Sequence, residues 1–418
     1  MKTVYTSDKH HAANLMSRLK VIITLVLMML FIMSALSCKR RTMTDKLARL
    51  ETDSLSDGFK PNPQKVAEQE VRNLEIGGKA ADFNLPDVTG RYYQLRDFDD
   101  AAVLVVIFTC NHCPTAQAYE DRIIQFTNDY RDKGVSVVAI MPNSAYSLLL
   151  EECGYSDLDD TYESMVIRAS DKKFNFPYLY DGDDGAASIK YGPTATPHAF
   201  VFNKNRELAY SGRLDASEKP GTANADDLRA SVDAVISGRP VPNPVNKAFG
   251  CSVKWGWKTD WTDKVNSDWN NRPVLLEKIS INEISELIAN RSQKLRLINV
   301  WATWCGPCVI EYPELVNIHR MYADRNFEFI SLSADKPESF EKVLEFLKSR
   351  HSAVQNYIFG TGDTYGLIEA IDPGWKGALP YSILTEPGGK VVYSVQGTVD
   401  ILALKKAIVD HPLIGRYY

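Results

Sequence analysis

Four of the seven cysteines fall in two C-x-x-C pairs, Cys110/Cys113 and Cys305/Cys308. Two such pairs could together hold a structural zinc ion through four thiolates. Alternatively, each could open and close its own disulfide. The surroundings favour the second chemistry. Each pair follows an apolar run of strand length, "AAVLVVIFT" at 101–109 and "LRLINVWATW" at 295–304, and each precedes a helical pattern. A helix start leaves about four backbone N–H groups unpaired and presents roughly half a positive charge, a field that favours thiolate over thiol. Cys305 is read as the N-cap. Gly306 eases the turn, and Pro307 sits in the first helical turn, where its missing N–H does no harm. Cys308 then lands one turn on, facing inward. In this reading Cys305 attacks a substrate disulfide and Cys308 resolves the mixed disulfide. His112, just before Cys113, is expected to stabilise the Cys110 thiolate and make that pair the more oxidising. Electrons would then run from Cys305/Cys308 toward Cys110/Cys113. Haem attachment needs C-x-x-C-H, and Pro114 and Val309 follow the pairs instead.

The elements that must position these thiols repeat. A buried strand leads into C-x-x-C and a helix, then another strand ("VSVVAIMP", "FEFISLSAD"), then a proline, a strand, a turn and a strand ("TPHAFVFNKNRELAYSGRLD", "LPYSILTEPGGKVVYSVQG"). The fold class expected is α/β, with two thioredoxin-like folds in tandem, each a central mixed sheet flanked by helices. The expected boundaries are 1–38 for a signal peptide or anchor, 39–74 for a charged tether, 75–257 and 275–418 for the two domains, and 258–274 for a linker. Residues 21–36 are apolar and uncharged, short of the ~20 residues of a membrane span but suited to a secretory leader. "SALSC" ends this stretch at Cys38, the expected lipidation site; an uncleaved anchor and simple cleavage are the alternatives. All three put the rest of the chain outside the cytoplasm, where disulfides persist. Cys153 and Cys251 are left over, as a third pair or as two buried thiols.

"WCGPC", Trp304 to Cys308, resembles the active-site motif of the thioredoxin superfamily, and the longer "NVWATWCGPCVIEYPEL" resembles membrane-anchored TlpA-like thiol-disulfide oxidoreductases. That resemblance covers Leu275 to Pro412. It implies a supporting role for Trp304, an acid at Glu311 and a cis-proline at Pro380 beside the disulfide. Asn299 stands where ordinary thioredoxins carry a buried aspartate, so a carboxylate relay would fall to Glu311. Residues 76–257 resemble peroxiredoxin-like (AhpC/TSA, redoxin) domains through "FTCNHCPTAQAYEDR", "FPYLYD", "TPHAFVFN", "YSGRLD" and "AFGCSVKW", with Pro197 in the cis-proline place. The peroxidase signature P-x-x-x-T-x-x-C is absent: counted back from Cys113, Cys110 replaces the threonine and Val106 the proline.

The function expected is thiol-disulfide exchange on protein substrates in a bacterial cell envelope, membrane-tethered and periplasm-facing, with a membrane electron donor. No metal or organic cofactor is implied. The net charge of −5 and the lack of a basic block beyond residues 39–41 argue against a nucleic-acid partner. Thiol peroxidase activity of the N-terminal domain, or its use as a non-catalytic substrate platform, are the competing readings.

Overall fold

The two continuous apolar runs become the central strands of two separate sheets in the computed structural model, which describes residues 66–416. Cys38, the apolar leader and most of the tether lie outside the described residues. No helix of the described residues is long and apolar enough to cross a membrane.

In the N-terminal half, β1 (Asn84–Pro86) and β2 (Tyr92–Gln94) form an antiparallel hairpin. Then follow β3 (Val103–Phe108), α1 (Pro114–Tyr130), β4 (Val135–Met141), α2 (Tyr162–Lys172), β5 (Tyr178–Tyr180), α3 (Ser188–Tyr191), β6 (His198–Phe202), β7 (Leu208–Gly212) and α4 (Asp226–Ile236). The sheet order is β5-β4-β3-β6-β7, with β3, β4 and β5 parallel and β6 and β7 antiparallel. All six residues of β3 are buried, as a strand covered on both faces requires. Leu104, Val106 and Phe108 share one face with Phe83, Phe98 and Tyr191, the period-two alternation of a strand.

The stretch 258–274, expected as a linker, contains the helix α5 (Thr259–Asn270). Its Trp269 is buried, packs edge-on against His319 at 5.8 Å and donates its indole N–H to Glu151. The C-terminal half continues with β8 (Glu277–Ile279), α6 (Ile281–Ile288), β9 (Leu295–Trp301), α7 (Gly306–Met321), β10 (Phe327–Ser333), α8 (Phe340–Ser349), β11 (Gln355–Phe359), α9 (Thr364–Ile371), β12 (Tyr381–Thr385), β13 (Val391–Gln396) and α10 (Ile401–Val409). Its order is β13-β12-β9-β10-β11-β8. With the edge strand β8 set aside, pairing and direction repeat those of the first sheet. The doubling read from punctuation is therefore a doubling of topology.

The halves share apolar packing. Leu148, Leu150 and Cys153, from the loop after β4, pack into the core built by Leu315, Ile318, Tyr322 and Phe327 of the C-terminal half. The Tyr322 hydroxyl donates to the Ser156 carbonyl at 3.0 Å, and Arg416 pairs with buried Asp157 at 2.8 Å. Cys153 is thus a packing residue, its thiol pushed up by burial.

Candidate active site

In the C-terminal half, β9 delivers the chain to a short loop and α7 begins at Gly306, with Cys305 at the N-cap in extended conformation. Pro307 occupies the first turn. Cys305 and Cys308 are joined as a disulfide, with Cα atoms 5.3 Å apart, and the Cys308 backbone N–H points at the Cys305 sulfur from 3.3 Å. Asp335, at the end of β10, fixes the approach loop by accepting from the Thr303 N–H at 2.8 Å and the Thr303 hydroxyl at 2.7 Å. Trp304, the residue just before Cys305, is 68% exposed. The Leu379–Pro380 peptide is cis and leads directly into β12, the neighbour of β9.

Glu311, one turn beyond Cys308 on the same helix face, is only 5% exposed. Its Oε2 accepts from the Val399 N–H at 2.9 Å and its Oε1 from Asn299 at 3.4 Å. Burial raises its pKa; those two donors offset burial only in part. It is a buried acid whose proton is held more firmly than that of an ordinary glutamate, rather than a solvated helix residue.

The N-terminal half places its pair differently. The helix α1 starts at Pro114, so Cys113 and not Cys110 is the N-cap. Cys110 lies three residues upstream in the loop after β3. Its Sγ is 3.0 Å from the Thr196 hydroxyl, and burial together with its hydrogen bond to Cys113 pushes its thiol up. Burial also works against a Cys113 thiolate, but the Cys110 and Cys251 thiols, the His112 charge and the Ala116 N–H outweigh it and hold Cys113 well below an ordinary thiol. The expected effect of His112 on Cys110 is therefore corrected: the imidazole favours the thiolate of Cys113. The physical reason is the one-turn offset in where the helix begins.

His112 is itself held by Asp160, Nδ1 to Oδ2 at 2.6 Å, with both side chains sealed from solvent. Asp160 also accepts from the backbone N–H groups of Asn111 and His112 and from Asn143 Nδ2. So an aspartate pins the thiol loop in each half, Asp160 in one and Asp335 in the other. Cys110, His112 and Asp160 bring one donor atom each within 4.8 Å of one another. The Asp160 oxygens are already spent on four donors, an arrangement that fits a charge pair holding a loop better than a metal ligand set. The Thr196–Pro197 peptide is cis, in the same relation to β6 as Pro380 to β12. Cys113 lies 3.3 Å from the Thr196 carbonyl, and the Cys251 N–H donates to its sulfur at 3.2 Å.

With two sheets of one topology, a thiol at the head of each following helix and a cis-proline facing each, the family matches fall where the geometry leads. The AhpC/TSA family matches residues 76–211 and the Redoxin family residues 286–406. The two matches, one in each half, support a thioredoxin-superfamily reading of the chain. Among curated relatives, the chain is 33% identical over 109 residues to the thiol-disulfide oxidoreductase ResA of Bacillus anthracis, covering 24% of this chain and 53% of that protein. It is 25% identical over 134 residues to the thiol:disulfide interchange protein HelX of Rhodobacter capsulatus, covering 30% and 64%. The chain spans about half the length of the ResA relatives it matches. A hypothetical protein of Sinorhizobium meliloti is 32% identical with a TM-score of 0.39, covering 45% of this chain and 98% of that one.

Sequence reasoning missed Asp160, Asn143, Thr196, Asp335 and the placing of Cys251. Thr196 was signalled by the proline after it. Asp160 lies 48 residues beyond His112, and nothing local announces it.

Proposed function

We propose that the chain is a thiol-disulfide oxidoreductase of the bacterial cell envelope that exchanges disulfides with protein substrates. Cys305 is the attacking thiol, Cys308 the resolving one and Glu311 the group that takes the Cys308 proton. Cys110/Cys113 form a second centre, with Cys113 the activated member. Trp304 and the Pro380 turn frame the substrate face, and lipid at Cys38 with a membrane electron donor completes the assembly. One observation carries this reading: the Cys305–Cys308 disulfide closes at the head of α7 directly beside an exposed tryptophan.

Insulin-disulfide reduction by the full chain with dithiothreitol tests it. Cys305→Ser is expected to bring the rate to background, and Cys308→Ser to trap substrates covalently at Cys305. A Cys305→Ser rate equal to that of the unaltered chain would end the proposal. The activated Cys113 at a helix N-cap also favours a thiol peroxidase reading of the N-terminal half. That reading requires rapid thiol-coupled peroxide consumption that disappears with Cys113→Ser. A purely platform role for the half requires Cys110→Ala plus Cys113→Ala to leave peroxide and insulin turnover unchanged.

A further inference from the structure

The N-terminal pair is closed to protein partners. Cys110 is 2% and Cys113 0% exposed, whereas Cys251 is half-buried and reaches the surface. What covers the pair is a strap of the chain's own backbone, residues 249–254, laid against the turn that carries Pro197. Thr196 and Cys251 form an antiparallel bridge, the Thr196 N–H donating to the Cys251 carbonyl at 2.9 Å. At Gly250, with φ +137°, an added Cβ would stand 2.0 Å from the Thr196 carbonyl oxygen, so this close approach needs glycine. The strap is fastened further on, where the Lys254 N–H donates to Asn143 Oδ1 at 2.9 Å and the Lys254 carbonyl accepts from the Ser144 N–H at 2.8 Å. An extended segment paired by its backbone with the loop beside a reactive thiol, and presenting a cysteine to that thiol, has the geometry of a docked peptide substrate. The equivalent turn of the C-terminal half is more open: Leu379 is half-buried where Thr196 is fully buried.

We propose that Cys251 is a third redox-active thiol, the port through which electrons enter and leave the buried Cys110/Cys113 pair by way of a Cys113–Cys251 disulfide. This rests on the reading of that pair as redox-active. In the reducing direction, the Cys251 thiolate attacks Cys113 within the Cys110–Cys113 disulfide. The Cys113–Cys251 bond forms, the Cys110–Cys113 bond breaks, and Cys110 takes the proton that Cys251 gave up. No electrons are gained or lost in that step. A partner thiolate then attacks the Cys251 sulfur and expels Cys113 as a thiolate, the best leaving group of the three because its charge is the best stabilised. The second thiol of the partner attacks its own sulfur in the mixed disulfide and releases Cys251, which is reprotonated. Two electrons have passed from the partner dithiol to the chain. The reverse sequence passes them to a substrate disulfide. The hydrogen bond to the Cys113 thiolate is the largest influence raising the Cys251 thiol, so oxidation of Cys113 removes the restraint on Cys251 when its attack is needed.

The test maps bonds in the full chain oxidised by glutathione disulfide, quenched in acid and digested with trypsin without reduction. Peptide 248–254 is expected linked to peptide 97–122, retained in Cys110→Ser and lost in Cys113→Ser. In stopped-flow reduction of the oxidised chain by dithiothreitol, Cys251→Ala is expected to slow the N-terminal half at least tenfold. Circular dichroism and thermal melting report that each variant is folded. If the Cys110–Cys113 disulfide forms but the cross-linked peptides never do, or Cys251→Ala is reduced at the original rate, the port is refuted while the dithiol stands. If neither disulfide forms, the redox reading of the half fails as well.

Discussion

His112 and Asp160 form an ion pair that no solvent reaches, Nδ1 to Oδ2 at 2.6 Å, in the turn between the two thiols of the N-terminal half. Burial alone would strip the imidazole of its proton, but the Asp160 charge and hydrogen bond outweigh burial and raise the His112 pKa. Asp160 moves the opposite way: burial would raise it, and His112 and Asn143 more than cancel that. Asp160 thereby favours the cationic form of the imidazole next to Cys113.

Replacing Asp160 with asparagine removes the anion and lets the imidazole lose its proton. The Cys113 thiolate should be less favoured, and the N-terminal pair should become more reducing by about tenfold in its exchange constant with glutathione, about 30 mV. The pair stabilises the fold between two limits. Its contribution is lost as pH falls through the lowered Asp160 pKa and fades as pH rises through the raised His112 pKa. The melting-temperature gap between the unaltered chain and Asp160→Asn should therefore be widest between those limits. A gap independent of pH and an unchanged potential would together dismiss the role given to this pair.

Glu311→Gln should slow insulin reduction about a hundredfold or more, the scale of a lost proton-transfer group. It should also erase the acidic limb of the pH–rate profile. Stability should respond with the opposite sense from activity. A carboxyl whose pKa is raised in the fold favours folding at low pH and loses that contribution as pH rises through the raised value. Melting curves should show the variant gaining on the unaltered chain from acid to neutral pH. A constant difference would contradict the buried, raised acid.

Asp157→Ala should destabilise the chain by about 3 kcal/mol, the scale for stripping one partner from a buried pair. Burial works against the Asp157 charge, but Arg416 and Arg168 outweigh it and lower its pKa. The contribution should therefore be present at neutral pH and vanish as pH falls through that lowered value. Urea unfolding at pH 7 and at acid pH measures both. Equal loss at the two pH values would show that packing, not charge, holds Arg416.

Both sheets were legible because their central strands are apolar throughout, Val103–Phe108 and Leu295–Trp301, and each runs into a cysteine pair. The Cys305–Cys308 pair was legible for a second reason: its two members lie one helical turn apart in sequence. The N-terminal centre was only half legible. The proline of the first helical turn follows Cys113 directly, as Pro114, but falls between the cysteines of the other pair, as Pro307. Reading that offset would have put Cys113 at the helix head. Asp160 and Cys251 could not be found by spacing. They reach the site through tertiary folding, 48 residues from His112 and 138 residues from Cys113.

Leu148, Leu150 and Cys153 belong by sequence to one half and by packing to the other. Such a graft works as a weld. Pulling the halves apart would put those side chains and the pocket they fill into water, against a scale of ~1.5–3 kcal/mol for each fully buried aliphatic group and less for the half-buried Leu148 and Leu150. The two cysteine pairs are therefore passengers on a common chassis, and the gap between them is set when the chain folds rather than by a swinging arm.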